Sequence, residues 1–128
     1  MVAIIVGWNF ELKHPQIGDC SYAFKDVVMV HDDMIEYMEQ HVGVEDKINA
    51  HFLMSVNLTT PECGYLRSNK AFKHVKSIHN DCSSFDYIII SSVEYNAGLE
   101  TMARDECNFA MIKEFSKGPA WIKLYAKP

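Results

Sequence analysis

The chain has 128 residues with 12 Lys+Arg against 17 Asp+Glu, a net charge of -5, and 48% hydrophobic residues. Such a size and mix is that of one globular domain able to bury its own core, which excludes intrinsic disorder and a two-domain layout. The acidic balance also argues against a grip on nucleic-acid phosphates, which needs a clustered basic excess.

Residues 2–6 (Val2, Ala3, Ile4, Ile5, Val6) form an apolar run too short for a secretory leader and without a basic flank, so they are expected to be a first strand. No stretch approaches the roughly 18–20 apolar residues that span a bilayer. A cytoplasmic protein without a membrane partner is the expectation. Cys20, Cys63, Cys82 and Cys107 contain no Cys-x-x-Cys pair and are read as free thiols.

After a loop through Pro15 and Gly18, Asp19 or Ser21 can cap a helix. Phe24, Val27, Val28, His31, Met34, Ile35, Met38 and Val42 keep the spacing of one helical face, and Gly43 supplies the stop. Val27, Val28, Met29 and Val30 are consecutive, an apolar girdle that predicts a homodimer. Ile48, Ala50, Phe52, Met54 and Val56 alternate with Asn49, His51 and Ser55, which predicts strand two. A long loop over 57–67 leads to a second helix expected from Ser68 or Asn69 to Ile78, with Lys70, Lys73 and Lys76 outward. Residues 85–90, rich in Ile and aromatics, read as a central strand buried on both faces. A third helix is expected over about 99–115, ended by Gly118-Pro119. The alternation of 120–126, with Lys123 in its middle, predicts an edge strand.

Strict alternation of strand and helix predicts a flavodoxin-like three-layer α/β/α fold with a mainly parallel four-stranded sheet in the order 2-1-3-4. A ligand then belongs beyond the carboxyl ends of strands one and three, where the winding reverses. That crevice collects Gly7, Trp8 and Asn9 from the first loop and Ser91, Ser92, Tyr95 and Asn96 from the loop after strand three. Glu100 falls in the first turn of the third helix, where unpaired amides favour a carboxylate.

The segment 86–104, with Phe85-Asp86-Tyr87-Ile88-Ile89-Ile90, a small-residue loop and then Gly98-Leu99-Glu100-Thr101-Met102-Ala103, resembles the nucleoside 2-deoxyribosyltransferase-like group and the related TIR domains. The resemblance implies that Glu100 attacks the anomeric carbon of a nucleoside or nucleotide, with Trp8 or Tyr95 stacking on the base. It implies N-glycosidic hydrolysis or transfer without a cofactor. The contrasting expectation is a non-catalytic α/β module, a small interaction or inhibitor protein of viral or mobile-element origin that binds another protein.

Metal chemistry has thin support. His74 and His79 are five residues apart and share no helical face, and the acids around His31 suit a solvated surface, so no metal ligands are assigned. Neither a Rossmann nor a P-loop glycine pattern is present.

Overall fold

A computed structural model describes the backbone of residues 15–78 and 80–128, and the side chains of 24–78 and 80–128. The expected strand over 2–6 and the loop residues Gly7, Trp8 and Asn9 lie outside the described residues. The first described element is α1 (Pro15–His41), with Pro15 in the first turn, where its missing N–H costs nothing. Val30, Met34, Ile35 and Met38 are buried along it, and Val42 just past its end, the expected three-to-four spacing.

Beyond α1 come β1 (Lys47–Asn49), α2 (Phe52–Thr59), a 3-10 turn (Pro61–Cys63), β2 (His74–Lys76) and β3 (Tyr87–Ser91). They are followed by α3 (Ala97–Thr101), a π turn (Met102–Glu106), β4 (Ala110–Lys117) and β5 (Ala120–Ala126). The described strands form one five-stranded sheet in the order β2-β1-β3-β5-β4. β1 is parallel to β2 and to β3, whereas β5 is antiparallel to both β3 and β4.

The α/β class is as expected, but the sheet is mixed and five-stranded instead of mainly parallel and four-stranded. Three local misreadings account for this. The alternation over 48–56 is half strand and half helix: Met54, Asn57 and Leu58 are the buried positions of α2, and Phe52 is exposed. The long third helix stops early. Cys107 N–H closes the π turn on Met102 O, Asn108 takes a positive φ of 59°, and the chain turns back as β4. β4 covers the outer edge of the sheet, so β5 is an inner strand and Lys123 is not an edge lysine. The expected second helix is a loop and the three-residue β2. Phe72 there enters the core, and Lys73 and His74 pair with Glu45 at 2.7 and 3.4 Å.

Gly118, at φ +56°, begins the two-residue turn from β4 to β5. A Cβ there would meet the Asp26 carboxylate, the end of a side chain that can move aside, so it is the positive φ that calls for glycine. Cys82 and Cys107 form a disulfide, contrary to the expectation of free thiols, while Cys63 is free and exposed.

Each sheet face has its own core, because side chains alternate along β3 and β5. α1 and α2 pack on Ile48, Ile89, Ile122 and Leu124; α3 and the π turn pack on Ile88, Ile90 and Tyr125 with Phe85 and Phe109. Across the first face α1 lies on β4 and β5. Val30 is thereby buried and Val27, Val28 and Met29 half-buried within one chain, so the apolar girdle no longer calls for a second subunit. Among the described residues, no helix is long and apolar enough to cross a membrane.

Candidate functional site at the carboxyl ends of β1 and β3

β1 connects to β2 on one side and borders β3 on the other, so the winding of the parallel half reverses at the β1/β3 boundary. Connections leave the ends of such neighbours in opposite directions and open a crevice there. A small depression occupies that point, lined by Asn49, His51, Ser77, Ser91, Glu94 and Asn96 over a floor of Ile89, Ile90 and Leu99. Its empty space, open mouth included, is about 280 Å³, and it has room for about one water.

Two turns shape it. β1 passes into α2 through only Ala50 and His51, which puts His51 at the helix N-cap, although its ring makes no capping bond. After β3, the Ser91 hydroxyl exchanges bonds with the Val93 backbone at 3.0 Å, and Glu94 takes a φ of +56°. For a residue carrying a Cβ this conformation costs about 1–2 kcal/mol. Glycine there adds about 0.5–1 kcal/mol of chain entropy. Glu94→Gly is therefore expected to raise stability by roughly 0.5 kcal/mol, read as a small upward move of the urea midpoint. An unchanged or lower midpoint would show that the Glu94 side chain stabilises the loop by more than its backbone strain.

Beneath this loop lies a buried histidine pair. His31 Nδ1 is 2.8 Å from Val27 O, and His31 Nε2 is 2.9 Å from His51 Nε2, with Ser91 Oγ 3.4 Å from the same His51 nitrogen. Burial lowers the pKa of His31, against the raising effect of its bond to Val27. Burial, helped by His31, brings that of His51 down to about 3. Both rings are neutral, so the network fixes their tautomers. The Val27 carbonyl can only accept, hence His31 carries its proton on Nδ1 and accepts at Nε2. His51 must then donate from Nε2, which leaves its Nδ1 with a lone pair. That Nδ1 is buried and has no hydrogen-bond partner among the described residues.

Glu100 is built differently. It is only 5% exposed, held in α3 beneath Tyr95. Its Oε2 accepts from the Tyr125 hydroxyl at 2.6 Å and from Lys123 Nζ at 3.1 Å; its Oε1 accepts from the Tyr95 hydroxyl at 2.7 Å. Burial alone would raise its pKa, but the bonds from Tyr125, Tyr95 and Lys123 with the lysine charge outweigh that and hold it below the ordinary 4.5. The same contacts act in reverse on the phenols: burial, then Glu100, pushes Tyr125 up to about 12. Lys123 Nζ also lies 4.8 Å over the Trp121 ring, whose edge meets Tyr95 at 5.2 Å.

The expected site residues thus divide. Ser91 and Asn96 line the depression, although Asn96 Oδ1 also caps α3 through Leu99 N–H at 3.0 Å. Ser92 does not line it, being bound to the Trp121 backbone at 3.0–3.3 Å as an extension of the β3/β5 pairing. Tyr95 and Glu100 bond to one another beside the depression. His31, His51, Glu94, Lys123 and Tyr125 were not assigned from sequence. A histidine on the apolar stripe of α1 was the one visible signal, since a buried imidazole needs a partner. Among the described residues no group of three or more His, Cys, Asp or Glu could hold a metal ion. Compared with known protein families, with curated proteins and with solved structures, the chain matches none of them.

Proposed function

We propose that the protein binds a nucleoside or nucleotide at the β1/β3 crevice and that Glu100 serves N-glycosidic chemistry beside it. The supporting observation is the asymmetry of the Glu100 carboxylate. Oε2 is anchored by two donors from β5, while Oε1 is held, among the described residues, by the hydroxyl of Tyr95 alone, a residue 48% exposed. A turn of Tyr95 away from Glu100 frees an ionised oxygen without moving the anchored one. Oε1 can then form a bond to the anomeric carbon as the bond from that carbon to the base nitrogen breaks. The base leaves with the electron pair and takes a proton from solvent, and water later hydrolyses the glycosyl ester. Tyr95 and Trp121, already in edge contact, offer faces for the base.

A second reading has its own support. A carboxylate with three donors is also what an internal anchor looks like, and Met111 and Ile112 on the outer strand β4 are 47% and 43% exposed. These features suit a non-catalytic module that meets a protein partner. Incubating the chain with nucleosides, deoxynucleotides and NAD, and following free base by chromatography, separates the two. The glycosidic reading expects release by the wild type and at least a hundredfold slower release by Glu100→Gln, in the range general for loss of a catalytic group. Equal inertness of both proteins, with no ligand raising the melting temperature, would leave the interaction module.

A further inference from the structure

We infer that the buried Nδ1 of His51 accepts a hydrogen bond from an uncharged O–H or N–H of the molecule bound in the crevice. The inference rests on the reading of the crevice as a small-molecule site and names the chemistry it selects: a neutral donor such as a sugar hydroxyl, not a phosphate. The relay described above forces this choice. Val27 O fixes the proton of His31 on Nδ1, and His31 in turn fixes that of His51 on Nε2. What remains on His51 is a lone pair, in a residue 94% buried that lines the depression and has no partner for that atom among the described residues. A buried acceptor without a donor is costly, which favours any ligand that supplies one. An anion brings only further lone pairs, and an acidic residue, Glu94, is among those lining the depression. A hydroxyl or amide N–H satisfies the site. His31 is a positioning residue here, because it acts on the ligand only through the tautomer of His51.

The test is nitrogen-15 NMR of the histidine side chains in the full chain, free and then with adenosine, with adenosine 5′-monophosphate, and with acetamide as a probe of the acceptor alone. The expected free state is a single Nε2–H tautomer of His51 with a bare Nδ1, and the expected response is a shielding of Nδ1 on adding adenosine or acetamide. His31→Leu should give mixed His51 tautomers and about tenfold weaker binding of the responding probe, while His31→Gln, whose amide oxygen can still accept from Nε2–H, restores the single tautomer. Adenosine that perturbs Ser91 and Asn96 without moving Nδ1 would overturn the inference and leave the proposed function standing. Acetamide that moves Nδ1 when no nucleoside binds would uphold the inference and remove the nucleoside reading. A proton on Nδ1 in the free protein overturns the inference, as does an Nδ1 that neither probe moves because a buried water already bonds it.

Discussion

Acidification from pH 7 to pH 4 is expected to remove about 3 kcal/mol of stability through His51 alone, with His31 adding to the same slope. The cause is the pKa of His51, brought from 6.5 down to about 3 by burial and by its neighbour His31. An unfolded His51 takes up a proton at its ordinary 6.5, whereas the folded one does not until about 3. Between those values the unfolded state binds more protons, so stability is complete above pH 6.5 and is lost steadily as pH falls. Glu100 contributes separately and lower. Its pKa lies under 4.5, so its share is complete above that value and is lost only as pH falls through the folded pKa. Urea midpoints measured from pH 8 to pH 4 resolve the two. In a protein carrying His31→Leu with His51→Met, the slope beginning near pH 6.5 should vanish while the acid limb below 4.5 remains. A wild-type midpoint that stays level between pH 7 and pH 5 would mean that the imidazoles are not buried as a neutral pair.

How far the fold was legible follows from which signals are local. α1 was readable because a long run of periodic apolar residues leaves no competing pattern, and β5 because its alternation is bounded by Gly118-Pro119. β3 was readable from its run of isoleucines, which only a strand covered on both faces can bury. The errors fall where short elements meet. Three residues of β1 and eight of α2 are too few for either period to declare itself, and residues 48–56 satisfy an alternating pattern by accident. The end of α3 was hidden for another reason. Its continuation into β4 depends on the Cys82–Cys107 link and on Asn108 entering the left-handed region, both set by tertiary structure. The crevice position was legible in outline, since it requires only a parallel pair and a reversal of winding, and Ser91 and Asn96 do line it. The histidine relay was not, because His51 reads as the outward residue of a strand until the strand is seen to end at Asn49.

Glu100→Ala is expected to cost about 2–4 kcal/mol, the range for removing the acceptor of buried charged hydrogen bonds. The loss is uneven among its three partners. The Tyr125 hydroxyl sits in a residue 3% exposed and is left without an acceptor, whereas Tyr95, at 48%, turns to water freely. Lys123, 25% exposed along its side chain, is partly rehydrated and keeps its contact with Trp121. Glu100→Gln should cost less, because its carbonyl still accepts from one donor, and Tyr125→Phe made in the Glu100→Ala background should recover part of the loss by deleting the stranded hydroxyl. The stabilities of these variants do not separate an anchor from a nucleophile, since both roles need the carboxylate. Tyr95→Phe does. It removes the Tyr95 bond to Oε1, leaves the Oε2 anchors intact, and changes an exposed residue, so stability should shift by less than about 1 kcal/mol. If Oε1 is the attacking atom, Tyr95→Phe releases base at least as fast as the wild type, because a competing donor is gone. If instead release falls as steeply as with Glu100→Gln, the Tyr95 hydroxyl is part of the chemistry, supplying the proton the departing base requires. If neither protein releases base and both melt alike, the Glu100 cluster is an internal anchor that ties α3 to β5.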